Sequence, residues 1–237
     1  MQDSRIDDVV VSVCITDTAS DSLDTSILRQ VQSELASRFR FFELILVANG
    51  PDAVGQLELL PDLFNVRLLA PRGSGDRYDR RLLAVSEALG DVVFVAPLRE
   101  FSATVALESI FRCMNSGRVV IARRQRAAVV MDWLYVFGRL SGFNSHSADG
   151  QVMSFPRGVI LQLLQHPDPA LAVRFLPMRE GIDIEYVSAS IPKRRFGMQG
   201  VRERLSLLGR LLEYSAPGVL SLIGVFGLLV ALASVSF

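Results

Sequence analysis

The sequence predicts an α/β domain built on a mostly parallel sheet, and three observations predict it. Short, apolar, β-branched runs recur along the first 125 residues: VVVSVCI at 9–15, ELILVA at 43–48, NVRLLA at 65–70, DVVFVA at 91–96 and RVVIA at 118–122. Stretches of helical period separate most of them. The runs are also apolar on both faces, the pattern of strands covered on two sides and joined by right-handed crossovers.

Each element has its own signal. The first strand gives way to polar TDTASDS. Residues 23–39 then carry Leu23, Ile27, Leu28, Val31, Leu35 and Phe39, a 3.6-period stripe. Asn49-Gly50-Pro51 closes the second strand as a turn. A loop at 71–75 leads to a helix over 80–89, and a further helix is expected around 102–115. Beyond residue 125 the pattern changes. Residues 127–140 form a long apolar, helix-like stretch with the single tryptophan, Trp133. A short strand is expected at 151–155, a helix at 158–165 and a last strand at 182–189. Pro192 opens a basic amphipathic helix. Leu205, Leu208, Leu211 and Leu212 are assigned to one face of it, for an interfacial position beside a bilayer.

Composition bounds the function. Half of the 237 residues are hydrophobic, which excludes a disordered chain, and two cysteines, Cys14 and Cys113, exclude a disulfide scaffold. Twenty-five basic against 25 acidic residues argue against a generally basic nucleic-acid binder. Two histidines, His146 and His166, stand far from each other and from the cysteines, so no Cys/His zinc motif is present. The mean hydropathy of +0.33 is high for a soluble domain. Its source is residues 215–237, which hold no charge. The last 22 residues would make roughly 33 Å of helix, against about 30 Å of hydrocarbon core. A transmembrane helix is therefore expected at 215–237, with a buried core helix as the bland alternative. Residues 191–214 carry six basic and two acidic side chains, and such a flank places the domain on the cytoplasmic side. The expected organisation is a domain at 1–190, a juxtamembrane helix at 191–214 and the span.

These segments in this order resemble the GT-A glycosyltransferases of family 2, most closely the branch that loads sugars onto polyprenyl phosphate (dolichol-phosphate mannosyltransferase-like enzymes). VVVSVCI and ELILVANG match its first two strands. RRLLAVSEALGDVVFVAPL matches its helix, Gly-Asp pair, strand and metal motif. VRFLPMREGIDIEYV, IPKRRFGMQ and RERLSLLGRLLEYSAPGVLSLIGVFG are similar to the approach to the last strand, the juxtamembrane helix and the first membrane helix.

The resemblance implies a nucleotide-sugar site, and the chain departs from it at each chemical position. Thr16-Asp17-Thr18-Ala19-Ser20 stands where the family has Pro-x-Tyr-Asn-Glu, and Ala48-Asn49-Gly50-Pro51 where it has Asp-Asp-Gly-Ser. Ala96-Pro97-Leu98 occupies the metal-binding Asp-x-Asp, with no oxygen ligand in its side chains; Asp91 and Glu100 bracket it. The implied catalytic base falls on Gln151, which cannot take a proton. Asp149 fills that role only if the register slips by two residues.

The remaining candidates are basic. Asp17, Asn49, Arg72 and Arg77 are the candidate nucleotide-sugar contacts, and Arg123, Arg124, Arg194 and Arg195 the candidate lipid-phosphate contacts. For the cluster Arg123, Arg124 and Arg126, a solvated loop is the plain reading. The expectation is a membrane-anchored glycosyltransferase-like protein of impaired catalysis, with no cofactor, acting through membrane lipid and a homo-oligomer or an active glycosyltransferase partner. The rival is an active transferase in which Arg72, Arg77, Arg123 and Arg124 replace the metal and neutralise a diphosphate; Mg²⁺ or Mn²⁺ enters only if activity holds.

Overall fold

A computed structural model describes residues 6–18, 25–48, 63–71, 76–124, 138–144, 149–189 and 206–214. Strand β1 (Ile6–Thr18) leads through helix α1 (Thr25–Arg38) to β2 (Phe39–Ala48) and β3 (Val66–Leu69). Helix α2 (Arg77–Glu87), β4 (Val92–Pro97), a 3₁₀ turn (Leu98–Glu100), α3 (Ala103–Ser116) and β5 (Val119–Arg124) follow. Then come β6 (Asp149–Pro156), α4 (Arg157–Leu164), α5 (Pro169–Phe175), a second 3₁₀ turn (Met178–Glu180) and β7 (Ile184–Ala189). Residues 206–214 are helical and are called α6.

The strands form one seven-stranded sheet in the order β3-β2-β1-β4-β6-β5-β7. β6 alone runs against its neighbours, β4 and β5; the other pairings are parallel. Alternation along each strand feeds two cores. Val11, Val13 and Ile15 of β1 face Leu28, Val31 and Leu35 of α1 and Ile110 of α3. Cys14 of β1, Val93 and Val95 of β4 and Phe155 of β6 face the side of α2, α4, α5 and α6.

Local chemistry sets the helix ends. Asp76 caps α2 by accepting from the N–H groups of Tyr78 (2.8 Å) and Asp79 (3.0 Å), while Asp79 accepts from the N–H of Asp76 (3.2 Å). This is a reciprocal capping box. Helix α3 stops at Gly117, whose φ of +66° suits a residue without Cβ. The sequence reading omits α5, a seven-residue helix with Pro169 at its start and Asp168 capping Leu171 N at 3.0 Å. Ala170 to Phe175 are all buried, so it shows no polar face to read.

At the amino edge of the sheet a polar network joins β1, β2 and β4. Asp91 N donates to Val10 O at 2.8 Å and Asp91 Oδ2 accepts from Val10 N at 2.9 Å. Gly90 N donates to Ser12 Oγ at 2.7 Å, and that hydroxyl donates to Glu43 Oε1 at 2.5 Å. Glu43 also accepts from Leu89 N (2.7 Å) and pairs with Arg67 (3.1 Å). The Gly-Asp pair is structural.

Both cysteines are free thiols buried in the cores. Burial pushes the Cys14 thiol far above its ordinary range, and the Glu43 charge adds to the shift. Burial pushes Cys113 up to about 12, with a smaller contribution from Glu185. Above about pH 8.5 the unfolded chain therefore loses thiol protons that the folded chain keeps. Stability falls as pH rises past that point, by about 1.4 kcal/mol per pH unit for each thiol. The expected result is that iodoacetamide at pH 8 leaves both cysteines unmodified until denaturant is added, as read by mass spectrometry. Native-state labelling of either would contradict this burial.

Helix α6 departs from its expected facing at Leu211. The sequence reading gives its apolar face to a bilayer, but Leu207 and Leu211 of α6 are buried in the protein core and Tyr214 packs beside them. Leu208 is half-buried and Leu212 exposed. No described helix is long and apolar enough to cross a membrane, and residues 215–237 lie outside the described residues.

Candidate functional site

Parallel strands end together, and the crevice beyond their carboxyl ends, where connections leave in opposite directions, is the usual ligand position in such sheets. Here β1 stands between β2 and β4, so the crevice opens beside Thr16–Thr18 and Pro97–Glu100. Thr16 is in register with Pro97, and Thr18 Oγ1 donates to Val47 O at 3.0 Å. Because β6 runs the other way, its first residues, Asp149 to Gln151, reach the same edge.

Gln151 is the centre of the described polar groups there. Its N–H donates to Glu100 Oε2 at 2.9 Å, and its carbonyl accepts from Arg81 Nη1 at 2.6 Å. Its side-chain oxygen faces Arg77 Nη1 at 3.4 Å, a long contact. Glu100 and Arg81 are both buried. The four side chains come from α2, the turn after β4, and β6. The position that the resemblance assigns to a base is thus a neutral amide tied into the scaffold.

The metal motif fares no better. Ala96 and Pro97 are buried at the end of β4 and Leu98 begins the turn. None offers a side-chain oxygen, so the residues present do not fit a divalent ion bridging a diphosphate. Nor can the two acids that bracket the motif replace it as they stand. Glu100 holds the backbone of Gln151. Asp91 lies at the opposite end of β4, across six residues or about 20 Å of strand, bonded to Val10. Among the described residues, no three of His, Cys, Asp or Glu gather as a metal-binding group.

The other predicted site residues divide three ways. Arg77 opens α2 at the crevice, where its guanidinium faces Gln151. Asp17, Arg124 and Asp149 lie at strand ends along the same edge, and only their backbones are described. Asn49, Arg72, Arg194 and Arg195 lie outside the described residues, as do Arg126 and Trp133. The solvated-loop reading of Arg123 and Arg124 needs correction: β5 runs through both. Arg123 pairs in register with Asp149 and Ser188, and its guanidinium sits 3.7 Å above the Tyr186 ring. That is a cation–π contact across β5 and β7.

Sequence reasoning missed Arg81 and Arg210. Arg81 follows Arg77 by one helical turn on the face that carries Tyr78, Ala84 and Val85, and a basic residue on an apolar face was its only signal. Arg210 of α6 reaches the α2 capping box, with Nη2 2.8 Å from Asp79 Oδ1 and 3.0 Å from Asp76 Oδ2. It ties α6 to the helix that carries Arg77 and Arg81.

No family model matches the chain, and no curated protein matches its sequence. Solved structures do match its shape. Glucosyl-3-phosphoglycerate synthase from Mycobacterium tuberculosis is similar at a TM-score of 0.60 and 10% identity, over 87% of this chain and 81% of that one. Mannosyl-3-phosphoglycerate synthase from Rubrobacter xylanophilus gives 0.56 and 12%, over 88% and 75%. The 4-diphosphocytidyl-2C-methyl-D-erythritol synthase of Anaerococcus prevotii gives 0.52 and 15%, over 84% and 96%. The chain has a GT-A glycosyltransferase-like fold. At these identities the likeness establishes fold alone.

Proposed function

We propose that this chain is a membrane-anchored, family 2 glycosyltransferase-like protein of the polyprenyl-phosphate branch with impaired catalysis. It assists cell-envelope polysaccharide or polyprenyl-linked sugar synthesis by binding an active glycosyltransferase or a second copy of itself. The domain stands on the cytoplasmic face, held by residues 215–237 and the basic flank before them. The observation that carries the catalytic part is Gln151. An amide occupies the base position, and its backbone is engaged by Glu100 and Arg81. Ala96-Pro97-Leu98 adds a second deficit, since a nucleotide diphosphate there meets no carboxylate-held metal.

The second reading, an active metal-independent transferase, draws on Arg77 and Arg81. Arg77 at the crevice would meet the diphosphate, and the buried charge of Arg81, held on the Gln151 carbonyl, would add to the positive field without a metal. Calorimetry of the purified chain with UDP- and GDP-sugars, with and without Mn²⁺, separates the readings when paired with a transfer assay on polyprenyl phosphate. The expected result is less than about a twofold effect of Mn²⁺ and no transfer above background. Micromolar binding that requires Mn²⁺ would overturn the missing-ligand argument, and metal-free binding with turnover would establish the rival.

A further inference from the structure

Three segments far apart in sequence, residues 138–144, residues 176–180 and α6, are joined in series. Residues 138–144 and 176–180 are stitched together by the bridge between Phe143 and Pro177, by Met178 N donating to Gly142 O (2.8 Å), and by Asn144 N donating to Leu176 O (2.8 Å). The first segment also reaches α6: Ser141 Oγ donates to Leu211 O at 3.4 Å, and the Phe143 and Tyr214 rings lie 5.2 Å apart. Each segment exposes one large apolar side chain, Leu140 at 75%, Met178 at 52% and Leu212 at 42%. A single exposed leucine is ordinary; three on segments joined in series through 138–144 form a feature.

We propose that Leu140, Met178 and Leu212 form one face of the domain that rests in the bilayer interface, with the three side chains entering the boundary between headgroups and acyl chains. The proposal rests on the membrane-anchored reading above and adds which surface faces the lipid. Continuity identifies the occupant. Leu212 lies three residues before the uncharged stretch 215–237, so a bilayer entered there by that stretch lies against this end of α6. Charge does not choose the face: Arg139 and Arg179 are offset within these segments by Glu180 and Glu213, and Arg210 is paired with Asp76 and Asp79. Apolar insertion supplies the orientation, and the basic stretch at 193–204 adds attraction to anionic lipid without direction. Each leucine-sized side chain leaving water favours the seated state by about tenfold.

The test uses the full chain reconstituted in phosphatidylcholine–phosphatidylglycerol vesicles. Nitroxide labels are placed in turn at Leu140→Cys, Met178→Cys and Leu212→Cys, with Leu89→Cys, an exposed position at the amino edge of the sheet, as reference. The native cysteines are buried and give little background. At the three face positions collisions with oxygen should exceed those with a water-soluble nickel chelate, and at Leu89 the order should reverse. As a measurement free of substitutions, a lipid with a photoactivatable carbene at the acyl boundary should cross-link peptides containing Leu140 and Met178 in the unaltered chain. Chelate accessibility equal to that at Leu89, with the chain still sedimenting with vesicles, overturns the proposed face and leaves the anchor standing. Recovery of the chain in the aqueous phase overturns both.

Discussion

Replacing Gly90 by alanine should destabilise the domain by about 3 kcal/mol or more, seen as a lower urea midpoint at unchanged slope. A Cβ at this position would lie 2.6 Å from Ser12 N, 2.7 Å from Ser12 Oγ and 2.9 Å from Val10 O. Two of those atoms are backbone of a strand paired on both sides, so they cannot swing away as a side-chain tip would. Any movement of Gly90 also stretches its bond to Ser12, and through that hydroxyl disturbs Glu43, which holds Leu89 and Arg67. Overpacking and the loss of satisfied polar groups then act together. Gly158 is the control. It sits in the first turn of α4 with nothing within 4 Å of an added Cβ, so Gly158→Ala should stabilise slightly, by about 0.5 kcal/mol. Equal effects at the two glycines would show that helix and loop propensities, not the close approach to β1, govern Gly90.

That glycine also shows what the sequence could convey. The resemblance places Gly90-Asp91 between a helix and a strand, and the structure supplies the partners. The central strands were legible for the same reason. Buried on both faces, they read as continuous apolar runs whatever their neighbours. Orientation was not legible: nothing in QVMSF distinguishes a strand running against β4 from one running with it. Boundaries failed where no turn residue intervenes. Phe39 reads as the end of the α1 stripe, yet it begins β2 directly after Arg38, because its ring belongs in the core between β2 and α3. The site divided along similar lines. Missing carboxylates at Ala96-Pro97-Leu98 and Gln151 are visible by inspection. The bond from Glu100 to the N–H of Gln151 is not, since it joins residues 51 apart through a backbone atom. Arg81 was hidden because a guanidinium on an apolar helix face has meaning only once its target, the Gln151 carbonyl, is placed beside it.

Helix α6 is the case where pattern alone could not divide core from surface, and it carries the second large effect. Leu207, Leu208, Leu211 and Leu212 form two adjacent rows, 207/211 and 208/212, and helical period cannot say which meets protein. The structure gives the first row to the core, with Leu211 fully buried. Leu211→Ala should therefore cost about 3 kcal/mol of docking, within the range for a buried leucine. Arg210→Ala removes the ion pairs with Asp76 and Asp79, but these are partly solvated, and about 1 kcal/mol is expected. Helices in globular proteins draw most of their stability from packing of an apolar face, so undocking and fraying of residues 206–214 coincide. Hydrogen exchange at 206–214 reports both. It should accelerate roughly 150-fold in Leu211→Ala and about fivefold in Arg210→Ala, where undocking limits exchange. Leu212→Ala should leave it nearly unchanged in detergent, because its side chain faces outward. If Leu212→Ala accelerated exchange more than Leu211→Ala, the outward row would be the one that holds the helix, and both the docked position of α6 and the ion pairs that link it to the arginine-bearing helix would have to be given up.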